Sequence, residues 1–532
     1  MRDGPKTLDR RQALLNGFVA GLVATAGFSG ATISAAARSR AARAEGTQTA
    51  DPEGPEAFSH DILIEMAKQA ARKAFVDRRV ALPERLRNLS AERYRGIRFR
   101  RETSSWPSTD TRFALDILPS GFLYRTPIQI HVVEDGLAKP LMVEGPAFTI
   151  PDPQTGQREA VALPYSGLSL SKTAPGDGPP GEDPMAYARF RGASFFQAIG
   201  NGQDFGTIAR GLALKTAHPD GEEIPVFQAF WISVPEGDEA SITIHALLDS
   251  PSATGAYRFM LAPGSATMID VDATIFARQE LPFAGLAPLT SMFLYDGDTA
   301  SSFNDYRRAV HNCDGLAIWN GMNEWIWRPL KNPTRLQISA FADENPRGFG
   351  LIQRKRRFED FGDGRNRFED RPSSWVEPLG DWGRGQVQLI EIPSRHQFHD
   401  NITVFWRPVD PPGPGNPYRL NYRIHWGDDR MRPTRLSTVV SSRRGRGRDR
   451  GIVRYGVAFR RTVPFREPIR IDAWASRGRL TEVDGQIHPR DPLLYTVVLE
   501  LDPEGETLSE LRVALRDDGG PISEIWLDRW TG

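Results

Sequence analysis

The chain has almost no cysteine. Cys313 is the only one in 532 residues, so no internal disulfide can form and the fold must rest on packing. It has no surplus of charge either. Lys plus Arg and Asp plus Glu stand at 67 each, which removes any global attraction to nucleic acid or to an anionic membrane. The nine histidines make no H-x-x-x-H or H-E-x-x-H arrangement. His396 and His399 are the only cluster, and with no third ligand in register they predict no metal site. The phosphate-cradling G-x-x-x-x-G-K-[ST], the strand–G-x-G-x-x-G–helix unit and the G-x-S-x-G elbow are all missing. No cofactor is therefore expected, and α/β-hydrolase chemistry has no support. β-α alternation is lacking as well, which excludes a doubly wound parallel sheet.

One apolar run exists, from Phe18 to Ile33, but Ser29, Thr32 and several glycines interrupt it and it is short for a membrane span. Arg10-Arg11 precede it, and Ala42-Arg43-Ala44 follow it as a small-x-small cleavage site. A basic flank, an apolar middle and an A-x-A site predict an export signal, and the paired arginines point to the twin-arginine route. Residues 1–44 are thus expected to be removed and the mature chain to work in the periplasm. Aromatic residues are abundant: 12 Trp, 28 Phe and 11 Tyr. They can build a core, and they can also offer flat faces to sugar rings.

Residues 58–92 carry Leu63, Ile64, Met66, Ala67, Ala70 and Ala71 at helical spacing, with a second short helix expected from Pro83. From Tyr94 onward the period falls to two, as in Phe113–Ile117, Ile128–Val133, Ser241–Leu248 and Gln386–Ile392. The reading is mostly β, largely antiparallel and built as sandwiches. Pro411-Pro412-Gly413-Pro414-Gly415-Asn416-Pro417 forms the clearest linker. It divides the chain into a large β-sandwich over 45–409, a linker over 410–417 and a small immunoglobulin-like β-sandwich over 418–532. Thr173–Glu182 reads as a mobile loop. The arginines between Arg430 and Arg450 lack interleaved aromatics and read as a solvated hairpin rather than a nucleic-acid patch.

Longer motifs lie in the middle of the chain: Ala246 to Phe259, Asn323-Glu324-Trp325-Ile326-Trp327-Arg328, Asp343 to Arg354, Arg371 to Pro378, and Asp400-Asn401-Ile402-Thr403-Val404-Phe405-Trp406. With these the chain closely resembles the periplasmic glucan biosynthesis family, the OpgG/OpgD (or MdoG) proteins, over nearly all of residues 58–532. The twin-arginine signal is closer to the OpgD branch. The resemblance implies a galactose-mutarotase-like supersandwich joined to the smaller sandwich. It also implies a role in making osmoregulated periplasmic glucans, with anomer-inverting action on their β-1,2-linked glucose backbone. β-1,2-glucan is then the expected ligand, and a membrane glucan synthase and a second copy of the chain are candidate partners.

Inverting glycoside chemistry needs an acid for the leaving oxygen and a base for the attacking one. By the resemblance Asp400 is the general acid, although the same Asp-Asn pair is also an ordinary turn before a strand. The family motif Val-His-Asp-Ser-Asp-Gly-Leu stands here as Val310 to Leu316 with Asn312 at the base position. An amide cannot take a proton from water. Asp314 is a candidate substitute, or a sugar hydroxyl attacks in place of water and closes a ring through an α linkage. The same resemblance makes Phe368 a family Tyr without its hydroxyl and Gln397 a family Glu near the acid. Glu324, Trp327, Arg328, Asp343 and Trp375 are candidates to line a glucan groove. Trp325, Trp327 and Trp375 fit a buried sandwich core equally well. Asp343 fits the start of a turn.

Overall fold

The computed structural model describes residues 54–82, 84–107, 112–152, 157–172, 186–237, 239–297, 303–428 and 435–532. The export signal with its cleavage site, Pro83 and the Thr173–Glu182 loop lie outside the described residues. The helical stretch resolves into a helix at His60–Ala71 and two short ones at Glu84–Arg87 and Ala91–Arg95. Ser59 caps the first helix, its Oγ accepting from the Ile62 N–H at 3.3 Å. Leu63 and Ala67, four apart, face inward and pin the helix to the sheet behind it.

Strands dominate the rest. The larger sheet has sixteen, the second ten, and a four-stranded sheet lies toward the C-terminus. In the larger sheet Val226–Ser233, Ile242–Asp249, Ala253–Ala262 and Thr267–Ala277 run antiparallel in sequence order. Their inward residues face the second sheet, and Phe259 meets Phe190 and Phe196 at centroid distances of 5.1 and 5.0 Å. Phe259, Leu261, Ile269 and Val271 from one sheet, with Leu168, Leu289 and Val404 from the other, are almost wholly buried. Two sheets closed over one apolar layer make a β-sandwich.

The strand expected to open the second sandwich lies elsewhere. Tyr418–Gly427 pairs with Thr267–Ala277 on one edge and with Ser373–Pro378 on the other, in the middle of the larger sheet. The Pro/Gly run before it therefore carries the chain from Ile402–Pro408 in the second sheet across to the larger sheet. Alternation alone could not reveal this, because Leu420, Tyr422, Ile424 and Trp426 bury one face wherever the strand is placed. The chain then forms a second apolar layer. The strands Thr438–Arg446, Val453–Arg460, Arg479–His488 and Asp491–Asp502 make the four-stranded sheet. Arg470–Ala475, Leu508–Asp517 and Ile525–Thr531 continue the larger one through a short parallel pairing of Ile326 and Trp327 with Ile525 and Trp526. Val457, Val497, Val513 and Trp526 fill this layer, together with Trp325, Trp327 and Trp375. Arg443-Arg444-Gly445-Arg446 is an exposed strand of that hairpin rather than its loop.

Candidate functional site

A cleft of about 3020 Å³ runs across the second sheet and is closed on one side by the C-terminal strands. Asp400, Asp314, Lys355, Trp327 and Arg354 line it, with Ser441 and Arg443 from the C-terminal wall. Asp400 stands just before the strand Ile402–Pro408. What holds it there is Asn401, which is 2% exposed. The Asn401 side chain accepts from the Phe293 N–H at 2.9 Å and donates to the Phe293 and Ile392 carbonyls at 2.9 and 3.0 Å. Its own carbonyl accepts from Ile392 at 2.8 Å. The acid's neighbour is thus bolted to two adjacent segments, and the Asp400 backbone has little freedom. Asn401→Ala leaves three buried polar groups unpaired. It is expected to cost about 3 kcal/mol in chemical denaturation and to lower any activity that depends on where Asp400 points.

The Asp400 carboxyl makes no hydrogen bond or ion pair among the described residues. Burial in the cleft wall raises its pKa to about 6, against the opposing pull of the Arg210 guanidinium. Arg210 is itself held by Glu222 at 2.6 Å. His399 and His396 line the same cleft, and their rings lie 5.5 Å apart. The shift of Asp400 owes nothing to them.

Asp314 is more tightly engaged. One oxygen accepts from the backbone N–H groups of Arg354 and Lys355, the latter at 2.9 Å. The other lies 3.6 Å from His311 Nε2 and 3.9 Å from Lys355 Nζ. Asp296, ion-paired with Lys355, completes the group. Burial opposes ionisation of Asp296, yet its charged neighbours hold its carboxyl below the ordinary range. Asp296, His311 and Asp314 bring ligand atoms within 4.8 Å of one another. The Lys355 ammonium already occupies the space between the two carboxylates, so the donor set suits a lysine better than a metal ion. Cys313 is wholly buried, with Sγ 3.0 Å from Ser291 Oγ, and burial pushes its thiol up to about 12. The charges of both Asp314 and Asp400 reach it and reinforce that rise.

The other candidates separate by position. Trp327 does both things: it is core, yet its edge lines the cleft, and Arg354 lies 3.3 Å above its ring. A Cβ on Gly315 would sit 2.3 Å from that ring, so only glycine lets the indole lie flat there. The remaining candidates are not among the cleft-lining side chains, each for a physical reason. Asn312 donates its backbone N–H to the Met292 carbonyl at 2.9 Å. Phe368 packs in a small core against Phe361. Arg328, 1% exposed, neutralises Glu391 and Asp528 in the interior. Trp375 stacks on Trp325 at 5.4 Å. Glu324 accepts from Asn320 at 2.9 Å and faces Arg512 at 3.8 Å. Asp343 caps the turn at Gly321 at 3.0 Å. Gln397 accepts from Arg307 at 2.7 Å, behind the acid. Sequence reasoning missed Arg210, Asp296, Arg354 and Lys355. Apart from Glu222, twelve positions from Arg210, their partners lie 40 to 190 positions away, and no local spacing announces such contacts.

Residues 58–530 match the sequence model of a family described as "Periplasmic glucan biosynthesis protein, MdoG". The chain is 39% identical over 490 residues to "Glucans biosynthesis protein G 2" of Shewanella oneidensis, covering 92% of this chain and 91% of that one. It is 39% identical over 482 residues to "Glucans biosynthesis protein G" of Vibrio cholerae, covering 89% and 87%. The protein of that name from Shewanella sp. MR-7 is 40% identical over 483 residues, again covering 89% and 87%.

Proposed function

The chain belongs to the periplasmic glucan biosynthesis (MdoG) family, and from that membership we propose that it acts on a β-1,2-glucan backbone as an anomer-inverting transglycosylase. The observation that carries this reading is a single carboxylic acid, Asp400, set in a cleft with its pKa raised to about 6 and no partner to tie it down. A carboxyl of that kind is protonated often enough near neutral pH to donate. It gives its proton to the glycosidic oxygen as the bond from that oxygen to the anomeric carbon breaks. A nucleophile then adds from the opposite ring face.

The acceptor side favours a sugar hydroxyl over water. The family's base position holds Asn312, which has no proton affinity to offer. Asp314 lines the cleft but spends one oxygen on two backbone N–H groups. A hydroxyl from the same glucan chain, held close by the cleft, attacks at high effective concentration, releases its proton to solvent as the new bond forms, and needs less help from a base. Its product is a ring closed by an α linkage. A second reading, endo-hydrolysis with Asp314 as base, is supported by the second oxygen of that carboxylate, which accepts no hydrogen bond among the described residues. A third, glucan binding without chemistry, is supported by the amide at 312. We place the action in the periplasm, after twin-arginine export. No helix among the described residues is long and apolar enough to cross a membrane.

Incubation of the purified chain with linear β-1,2-glucan, followed by mass spectrometry, separates the three. Transglycosylation predicts products one water lighter than the linear chains, with few new reducing ends. Linear products with steadily rising reducing ends would establish hydrolysis instead, and untouched glucan would leave only binding. With Asp400 as acid, kcat/KM is expected to be flat below about pH 6 and to fall tenfold per unit above it.

A further inference from the structure

Arg189 and Arg191 lie two apart on the strand Ala186–Arg191, where Ala188 and Phe190 are buried in the core. The alternation turns both guanidinium groups toward the cleft, and both line it. Neither has a carboxylate partner among the described residues. Arg191 lies over the Tyr124 ring at 4.5 Å and Arg189 over the Phe205 ring at 4.0 Å. Two carboxylates act on Arg189 from a distance, and both are engaged elsewhere. Asp116 holds Arg101 through two bonds of 2.5 and 2.6 Å, and Asp204 faces Arg371 at 3.6 Å. Burial, and after it the charge of Arg191, push the Arg189 guanidinium down to about 10. Arg125 follows Tyr124 in the chain and lines the same cleft, and its Nε is buried without a hydrogen-bond partner. Gln197, directly across from Arg189 on the next strand, lines it too. Holding Arg189 beside Arg191 with no directly bonded carboxylate is unfavourable unless something negative is meant to arrive.

We propose that Arg125, Arg189 and Arg191, with the Tyr124 ring, form a subsite for an anionic group, phosphate or carboxylate, carried on the sugar chain that occupies the cleft. The arginine forks supply charge-assisted bonds to its oxygens. Tyr124 supplies a flat face for the adjoining ring. The identity of the carrier rests on the glucan reading above, whereas the anion chemistry does not. The subsite is distant from the acid. Counting across the second sheet, four strand steps separate Ala186–Arg191 from Ile402–Pro408, roughly 19 Å at the usual spacing. Several sugar rings span that gap, so the arginines select which chain binds, or where along it the acid acts, without touching the reacting atoms.

The test is calorimetric titration of the full-length chain at low salt with glucose 6-phosphate, glucose and inorganic phosphate. Glucose 6-phosphate is expected to bind at least tenfold more tightly than either of the others. The Arg125→Gln/Arg191→Gln variant is expected to lose that binding at least tenfold. Arg443→Gln, on the opposite wall, should change it less than twofold. Arg189 is left intact because it packs on Phe205, and thermal unfolding checks that the double variant is folded. No binding of glucose 6-phosphate, binding no tighter than that of inorganic phosphate, or full binding by the double variant would each overturn the proposal. Titration with neutral β-1,2-glucan reads the broader functional proposal independently, since its failure leaves the sugar-phosphate result unaltered.

Discussion

Replacing Asp400 with asparagine is expected to reduce action on β-1,2-glucan by about a thousandfold while making the folded chain more stable above pH 6. The two effects share a cause. An acid whose pKa is raised to about 6 in the folded state is one whose ionised form the fold disfavours. The sign follows from linkage: the folded state binds the proton more tightly than the unfolded chain does. Stability is therefore greatest below the ordinary aspartate range and declines as pH rises through 6. Above that point the site pays the whole cost, at most about 3 kcal/mol for a shift of this size. The figure is an upper bound because the side chain is only half-buried and the open cleft admits water. Asparagine keeps the shape and cannot ionise, so it removes both the cost and the proton. Product analysis on glucan and denaturant melts at pH 5 and pH 8 check the pair. A variant that retains wild-type turnover sinks the assignment of the acid. A variant that loses turnover but gains no stability at pH 8 shows that the carboxyl was not strained.

Many of the strands were legible because period two shows wherever one face is more exposed than the other. Phe113–Pro119, Gln129–Glu134, Ile242–Asp249 and Arg384–Glu391 all occur within a few residues of where alternation places them. What alternation cannot carry is the partner. Tyr418–Gly427 looks like the first strand of a new sandwich and is the central strand of the old one, because pairing is decided by contacts 40 to 150 residues distant. The candidate site divides in the same way. Asp400 was reached through its motif, and the structure supplies the burial and the bare carboxyl that sequence could not. In the run from Glu324 to Arg328 the alternating tryptophans fill the second apolar layer, Arg328 is buried, and only Trp327 reaches the cleft. Polar residues beside aromatics in a strand look alike in a groove and in a core, since both environments demand the same chemistry of the side chain.

Arg328 makes that point with the largest stability effect expected anywhere in the chain. Its guanidinium, 1% exposed, lies 3.3 Å from Glu391 and 3.8 Å from Asp528, and Lys331 reaches Asp528 at 2.6 Å. Arg328 comes from the strand Trp325–Pro329, Glu391 ends Arg384–Glu391 in the second sheet, and Asp528 lies in the C-terminal strand Ile525–Thr531. The cluster thus ties together three parts of the molecule at the back of the cleft. Burial raises the Glu391 carboxyl and lowers the Lys331 ammonium even with the arginine present. Arg328→Met strips the main counter-charge from buried Glu391 and leaves Asp528 with Lys331 alone among the described residues, and is expected to cost about 3–5 kcal/mol. The loss should be pH-dependent in a defined direction. With the arginine gone, the folded-state pKa of Glu391 rises further, so the variant should recover stability as pH falls from 8 to 5. Arg328→Met/Glu391→Met, which removes charge from both sides, should restore part of the lost stability at pH 8, since a pair replaced by apolar side chains leaves fewer stranded charges than a pair broken. Thermal melts of the two variants across that pH range decide the matter. If Arg328→Met unfolds at the wild-type temperature, the arginine is not an internal counter-ion, and a place in the glucan groove becomes the better account of it.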